Sequence, residues 1–560
     1  MDACGWQCPT SRASWGRRVG SMLVSAAVLL ASSVVAASAL GATCESLADL
    51  RLPETVITLA KSVAAGAFTP PTGPPPTPVI VPYSTLPAFC RVAGVIKPTS
   101  DSNIQFEVWM PSSGWNGKLQ SSGNGGFAGI IPYPSLGLPL TRGYAVATTD
   151  TGHSGNEAPT NPIMDGSWAR GHPEKVIDFG YRAIHETAVR AKAILHAFYG
   201  ESPRHSYFST CSNGGRQALM EAQRYPEDYD GILAGAPANF WTHHFSGFVW
   251  NALALSDPAA SYIPASKLKA IEVAALSACD GRDGVVDGVI DDPVKCRFDP
   301  ATLLCKGPES DSCLTGLEVA ALTKIYSGPR NSKGEQIFPG YLPGGETTPG
   351  GWGSWITGPR PDTSMQFRLG TQFFRNIVFE NPSWDFKTFN LDKDVKAADD
   401  KTGPILNATD PNLRAFMKRG GKLILYHGWS DASIAPQNTI NYYQSVVARM
   451  GQRNSGKFVR LFMVPGLEHC TGGQGTYSFG QWGTVAKADP EHDISLALER
   501  WVEEGIAPDV IVAAKPVADF DTTKGTLRTR PLCAYPLVAR WKGTGSTDDA
   551  ANFVCVNEHK

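Results

Sequence analysis

SYFSTCSNGGRQALMEAQRYPEDYDGILAGA, residues 206–236, is the stretch whose reading decides the fold. Ser206 to Thr210 (SYFST) reads as a strand, Gly215 to Tyr225 (GRQALMEAQRY) as a helix, and Gly231 to Ala236 (GILAGA) as a second, buried strand. Alternation of this kind argues for a parallel α/β sheet. Between the first strand and the helix lies Thr210-Cys211-Ser212-Asn213-Gly214-Gly215. That is the context of a nucleophile elbow, a strained turn in which the residues two before and two after the serine must be small. Gly214 meets the second requirement, whereas Thr210 stands where glycine is usual. A serine at a helix N-terminus also faces backbone N–H groups and a dipole that favour developing negative charge. The same residues would read as a simple N-cap.

Outward from this unit the α/β rhythm continues. Ile104 to Met110 (IQFEVWM) alternates like a half-buried strand, and Tyr144 to Thr148 (YAVAT) reads as a buried one. Tyr181, Ile184, Ala188, Ala191, Leu195 and Phe198 lie on one helical face, with Gly200 where a C-cap belongs. From about Pro237 to Asn412, Gly, Pro, Trp and polar residues interrupt every apolar run. Strands return at Lys422 to Tyr426 (KLILY) and Phe458 to Val464 (FVRLFMV), and Asp493 to Glu504 reads as a helix stopped by Gly505. The expected architecture is one α/β domain, residues 43–238 and 411–560, split by an inserted lid at 239–410. Ligands in such sheets bind at the carboxyl ends of the strands, where insertions gather.

A serine hydroxyl needs a base, and the base a carboxylate to orient it. The strand at 422–426 is followed by His427-Gly428-Trp429-Ser430-Asp431, and the strand at 458–464 by Pro465-Gly466-Leu467-Glu468-His469. Asp431 and His469 therefore follow Ser212 in the chain order Ser, acid, His, each just after a strand. Cys211 and Cys470 flank the serine and the histidine; if those two touch, the cysteines come within bridging distance. For an oxyanion hole, one donor is the N–H of Asn213. A second is expected from the glycine-rich loop Gly123 to Gly129, after the strand Lys118 to Ser121.

The 560 residues hold 42% hydrophobic and 18% charged residues, which marks a globular chain. Lys plus Arg (50) nearly balances Asp plus Glu (52) without a basic stripe, so nucleic acid is not an expected partner. Arg12, Arg17 and Arg18 precede the apolar run Met22 to Ala37, with small residues at Ala37-Ser38-Ala39 and at Ala42. This predicts a signal peptide over residues 1–42, a secreted or periplasmic protein, and no stable membrane anchor after cleavage. Cys4 and Cys8 fall in that leader. The ten remaining cysteines, an even number in an exported chain, suggest disulfides. Residues 67–82 are Pro-rich and read as an extended surface arm.

The segments YFSTCSNGGRQALMEAQRYPEDYDGILAGAPA, ILYHGWSD and LFMVPGLEHC resemble the tannase and feruloyl esterase family, which includes mono(2-hydroxyethyl) terephthalate hydrolases. The resemblance runs from about Cys44 to Cys555. It implies an α/β-hydrolase fold with a large inserted lid, a Ser212–His469–Asp431 triad, and an oxyanion hole from Gly126 and Asn213. It implies the pairs Cys44–Cys90, Cys211–Cys470, Cys279–Cys296, Cys305–Cys313 and Cys533–Cys555. A structural calcium in the lid is likewise implied, held by Asp280, Asp283 and Asp287 and by the carbonyls of Val285 and Val289. Composition alone would also allow a solvated acidic turn there.

The expected activity is hydrolysis of esters of hydroxycinnamic or gallic type acids through an acyl-enzyme. The partner is a small aromatic ester, attached or not to plant polysaccharide or polyphenol. Trp352, Trp355, Phe367, Phe373 and Phe374 are candidates to hold its ring, and each could equally fill the lid core. The alternatives are a terephthalate monoester hydrolase, for which Arg360, Arg368 and Arg375 lie nearby, and a catalytically inactive binding protein of this fold.

Overall fold

In the computed structural model, residues 41–71, 81–154, 161–481, 483, 485 and 487–557 are described. Most of the expected leader, with Cys4 and Cys8, and most of the Pro-rich arm (72–80) lie outside these residues. No helix among the described residues is long and apolar enough to cross a membrane.

Nine strands form one sheet: β1 (Thr55–Val63), β2 (Phe89–Ile96), β3 (Ile104–Pro111), β4 (Lys118–Ser121), β5 (Ala145–Thr149), β6 (His205–Cys211), β7 (Gly231–Gly235), β8 (Lys422–Gly428) and β9 (Val459–Val464). Their order is β1-β2-β3-β5-β4-β6-β7-β8-β9. The first four in this order pair antiparallel; β5 onward is parallel. Central parallel strands are covered on both faces, and β5 and β7 are buried at every residue. Side chains alternate between two cores. Tyr207, Leu233, Ile424 and Phe462 join Trp501 of a C-terminal helix on one face, whereas Phe208, Ile232, Leu423, Leu425 and Leu461 enter the other with Leu219 and Val446.

Two of the predicted helices are α1 (Ala183–Tyr199), closed by Gly200 at φ +77°, and α2 (Asn213–Arg224); the third, expected at Asp493 to Glu504, is also present. β3 departs from the half-buried alternation expected of it: only Gln105 is exposed. Glu107 is accommodated inside because Arg91 (Nε, 2.9 Å), Tyr133 (Oη, 2.8 Å) and Trp109 (Nε1, 2.7 Å) all donate to its carboxylate.

Between β7 and β8 the chain makes a long excursion that adds no strand to the main sheet. It carries α3 (Trp241–Ser256), α4 (Ala265–Cys279), α5 (Gly316–Ser327), α6 (Met365–Gln372) and α7 (Asp394–Leu406). The sequence pattern predicted none of these. In α3 twelve of the sixteen residues are buried, so no polar face exists to set a helical period. Two more helices, α8 (Gln437–Met450) and α9 (Ile494–Glu504), pack on the sheet, and the chain ends in the hairpins Val510–Ala518/Asp521–Cys533 and Val538–Trp541/Phe553–Val556.

Candidate active site

Ser212 occupies the turn between β6 and α2 at φ +69°, a left-handed conformation that a non-glycine residue holds only when its surroundings enforce it. Its N–H donates to Gly235 O (3.0 Å) and its carbonyl accepts from Ala238 N (3.2 Å). The two glycines that follow are required by contact. A Cβ at Gly214 would lie 1.9 Å from Thr210 Oγ1, and one at Gly215 would lie 2.4 Å from Gly235 O. The threonine in the usual glycine position is thus tolerated because position 214 has no side chain.

The loops after β8 and β9 are laced together. Trp429 N donates to Val464 O (2.9 Å) and Ser430 N to Leu467 O (3.1 Å). Gly428 permits the approach, since a Cβ there would lie 2.1 Å from Leu467 O. These contacts bring Asp431 and His469 to the serine. His469 Nε2 lies 2.9 Å from Ser212 Oγ, and His469 Nδ1 lies 2.8 Å from Asp431 Oδ2. Asp431 is 2% exposed. Its Oδ1 accepts the N–H groups of Ser433 (2.7 Å) and Ile434 (2.9 Å). Burial pushes its carboxyl up, but the charge of His469 and hydrogen bonds from His427 and His469 outweigh that and hold it well below the usual carboxylate range. An ionised acid therefore faces the imidazole.

Cys211 and Cys470 are bonded, with Cα atoms 6.0 Å apart across 259 residues of chain. The other four expected pairs, Cys44–Cys90, Cys279–Cys296, Cys305–Cys313 and Cys533–Cys555, are also present.

The glycine-rich loop runs beside the elbow. A Cβ at Gly123 would lie 3.0 Å from Gly214 Cα. Asn124 N donates to Gln217 Oε1 of α2 (3.0 Å), and Asn124 Nδ2 donates to Thr149 O (2.8 Å). Gly126 takes φ +52°, against Ile163 O. His153 Nε2 contacts Phe127 O (2.6 Å), and its ring stacks on Trp168 at 3.7 Å. Asn213 opens α2, so its N–H belongs to the first turn, which lacks intrahelical acceptors.

Of the five aromatic candidates, Trp355 reaches His469, edge-to-face at 5.1 Å between ring centroids. Trp352, Phe373 and Phe374 are buried in the cores of the excursion, and Phe367 packs on Phe386 at 5.1 Å. Arg360 and Arg368 are exposed, and Arg375 donates to Trp384 O (3.4 Å).

The acidic loop after α4 is closed by Cys279–Cys296. Asp280 accepts from Asp287 N (3.2 Å) and Gly288 N (2.9 Å), Asp283 from Val285 N (3.0 Å), and Asp287 from Val289 N (3.2 Å). Arg528 and Arg530 both donate to Asp287 Oδ2 (2.7 Å). Burial, then the charges of Asp283 and Asp287, push the Asp291 carboxyl well above its usual range. The crowded carboxylates of Asp283, Asp287 and Asp291 are oxygen donors of the kind that fits a hard divalent cation. Asp291 and the two arginines escaped the sequence reading because burial and distant strands bring them here.

His427 was also passed over. It is fully buried, with Nε2 3.1 Å from Asp431 Oδ2 and 3.0 Å from Ile434 O, and Nδ1 2.7 Å from Thr439 Oγ1.

A family model described as tannase and feruloyl esterase matches residues 90–556. An uncharacterised esterase of Xanthomonas campestris is 46% identical over 543 residues, covering 92% of this chain and 91% of that protein. A probable feruloyl esterase B-2 of Aspergillus terreus is 32% identical over 530 residues, covering 92% and 95%. Among solved structures, feruloyl esterase B from Aspergillus oryzae superposes with a TM-score of 0.82 at 31% identity, over 92% of this chain and 99% of that one. The tannin acyl hydrolase from Aspergillus niger shares the fold, with a TM-score of 0.71 at 23% identity over 91% and 92%.

Proposed function

We propose that this chain, which belongs to the tannase and feruloyl esterase family, hydrolyses esters of hydroxycinnamic or gallic type acids outside the cell, with Ser212, His469 and Asp431 as its catalytic triad. As a member of that family it is a carboxylic ester hydrolase with an α/β-hydrolase fold. The observation that carries the catalytic assignment is the unbroken chain of contacts from Ser212 Oγ to His469 Nε2 (2.9 Å) and from His469 Nδ1 to Asp431 Oδ2 (2.8 Å).

His469 takes the proton of Ser212 as Oγ attacks the ester carbonyl. The resulting oxyanion rests on the N–H groups of Asn213 and Gly126, in a site where fixed donors need no reorganisation. The alcohol leaves with the proton from His469, and water activated by the same ring releases the acid. Trp355 forms one wall for the aromatic acyl group, because it already stands against His469. Asp280, Asp283 and Asp287, with the carbonyls of Val285 and Val289, would hold a calcium ion whose charge offsets the crowded carboxylates. The arginines and apolar run within residues 1–42, which read as a leader, and five disulfides support export.

The test is a panel of methyl ferulate, methyl gallate, chlorogenate and mono(2-hydroxyethyl) terephthalate assayed side by side. A ferulate or gallate ester is expected to give the highest kcat/KM. Preference for the terephthalate ester would favour the alternative hydrolase, and no turnover of any ester, with no labelling by a fluorophosphonate, would favour an inactive binding protein. Trp355→Ala is expected to raise KM for the preferred aromatic ester while leaving a short aliphatic ester little changed; equal losses on both would remove Trp355 from the acyl site.

A further inference from the structure

We infer that His427 is a positioning residue for the reaction, setting the orientation and charge of Asp431 through the same carboxylate oxygen that His469 contacts; this rests on the catalytic assignment proposed above. Its Nε2 faces two acceptors, Asp431 Oδ2 at 3.1 Å and Ile434 O at 3.0 Å, so that nitrogen carries the proton. Its Nδ1 then accepts the hydroxyl of Thr439, at 2.7 Å in α8. One ring thereby ties the end of β8 to both ends of the acid loop and to the helix that follows. Asp431 Oδ2 is shared by two histidines, His469 at 2.8 Å and His427. When His469 carries the serine proton, the His427 N–H holds Oδ2 in place and offsets part of its charge.

Asp431 binds this ring through Oδ2, which His469 shares, His244 of α3 lies close to all three, and the buried Glu468, Tyr341 and Tyr426 stand in the field of Asp431. Burial holds His244 down to about 3, so it stays uncharged across the working range. Burial, then the charge of Asp431, pushes the Glu468 carboxyl well above its usual range, so a change in the acid limb on altering His427 is assigned to Asp431 and His469 when it persists in a Glu468→Gln background.

The position decides the expected kinetics. Without the donated N–H, the carboxylate is more basic and holds the protonated imidazole more tightly, moving the acid limb of kcat/KM to higher pH. It also loses one of two fixed contacts on Oδ2, so kcat falls, on the order of tenfold for a hydrogen bond to an ionised group. KM is little affected, because His427 is buried away from substrate.

The experiment compares wild type, His427→Phe, His427→Gln and Thr439→Val in full pH profiles on one ester, with melting temperature and Ser212 labelling by a fluorophosphonate measured on each. The expected result is a roughly tenfold fall in kcat and an upward shift of the acid limb in His427→Phe. His427→Gln, which can still donate an N–H, restores much of both, and Thr439→Val moves both in the same direction by less. Should His427→Phe fail to fold, Thr439→Val alone decides. An unshifted acid limb, or a loss that glutamine does not rescue, assigns His427 to packing and overturns the inference. If wild type and Ser212→Ala label and turn over alike, the catalytic assignment itself has failed, an outcome distinct from these.

Discussion

At the scale of single residues, the site is a set of close approaches that allow few substitutions. Gly214 is defined by the Thr210 hydroxyl 1.9 Å from where its Cβ would be. Gly214→Ala should therefore destabilise the protein by about 1–3 kcal/mol and cut activity, whereas Thr210→Gly with Gly214→Ala should recover much of both, read by melting temperature and kcat. Asp431→Asn keeps the shape but loses the charge that steadies the imidazole, so kcat should fall on the order of 10³- to 10⁴-fold. Asp150 offers a pH prediction. Burial raises its carboxyl to about 8, although the N–H groups of Gly152 and Gln105 pull the other way. A folded value above the unfolded one gives stability that is complete below about 4 and is lost as pH rises through about 8. Asp150→Asn, a neutral near-isostere, should lose that dependence; a wild-type minus variant melting difference that stays flat from pH 4 to 8 would contradict it. Ser212, Asp431 and His469 were legible because each follows a recognisable strand. His427 and Asp150 were not, because their roles come from what faces them after folding.

At the scale of elements, the excursion between β7 and β8 is fastened to the loop that carries Asp431. Asn251 Nδ2 of α3 donates to Gln366 Oε1 of α6 (2.8 Å). Gln366 Nε2 donates to Ala432 O (2.8 Å) and Tyr341 Oη (2.7 Å), and Tyr341 Oη donates to Ser433 O (2.6 Å). Breaking a buried network leaves several groups unpaired at about 1–3 kcal/mol each. Gln366→Leu should thus lower both stability and kcat, although none of its hydrogen bonds is to Ser212, His469 or Asp431. The strands β3 to β9 were readable as short apolar runs and α9 from its polar face and stop at Gly505, whereas β1 and β2 were not read. The excursion was not. In α3 twelve of sixteen residues are buried, so the period that betrays a surface helix is absent there, whereas α4, α5 and α7 each bury one face whose spacing the sequence reading passed over. The proposed calcium site in the acidic loop after α4 belongs at this scale too. Excess EDTA should lower the melting temperature, and an unchanged melting temperature with no metal by elemental analysis would count against the site.

At the scale of the whole molecule, two halves of one sheet separated by more than 180 residues come together, and a single covalent link joins their functional ends. The Cys211–Cys470 bond spans 259 residues and joins the neighbours of Ser212 and His469. Replacing both cysteines by serine should cost roughly 2–5 kcal/mol through the unfolded chain, with a further loss of kcat as the histidine loop loosens. The sequence made this bond foreseeable because both cysteines adjoin residues whose chemistry requires contact. The C-terminal hairpins, which have no such partner chemistry, went unforeseen. The most direct test of the account is intact-mass and peptide analysis of the protein after brief reaction with a fluorophosphonate. A single adduct on the peptide bearing Ser212, absent in Ser212→Ala and strongly slowed in His469→Ala, is the predicted result. Modification at a different serine, or undiminished ester turnover by Ser212→Ala, would contradict it.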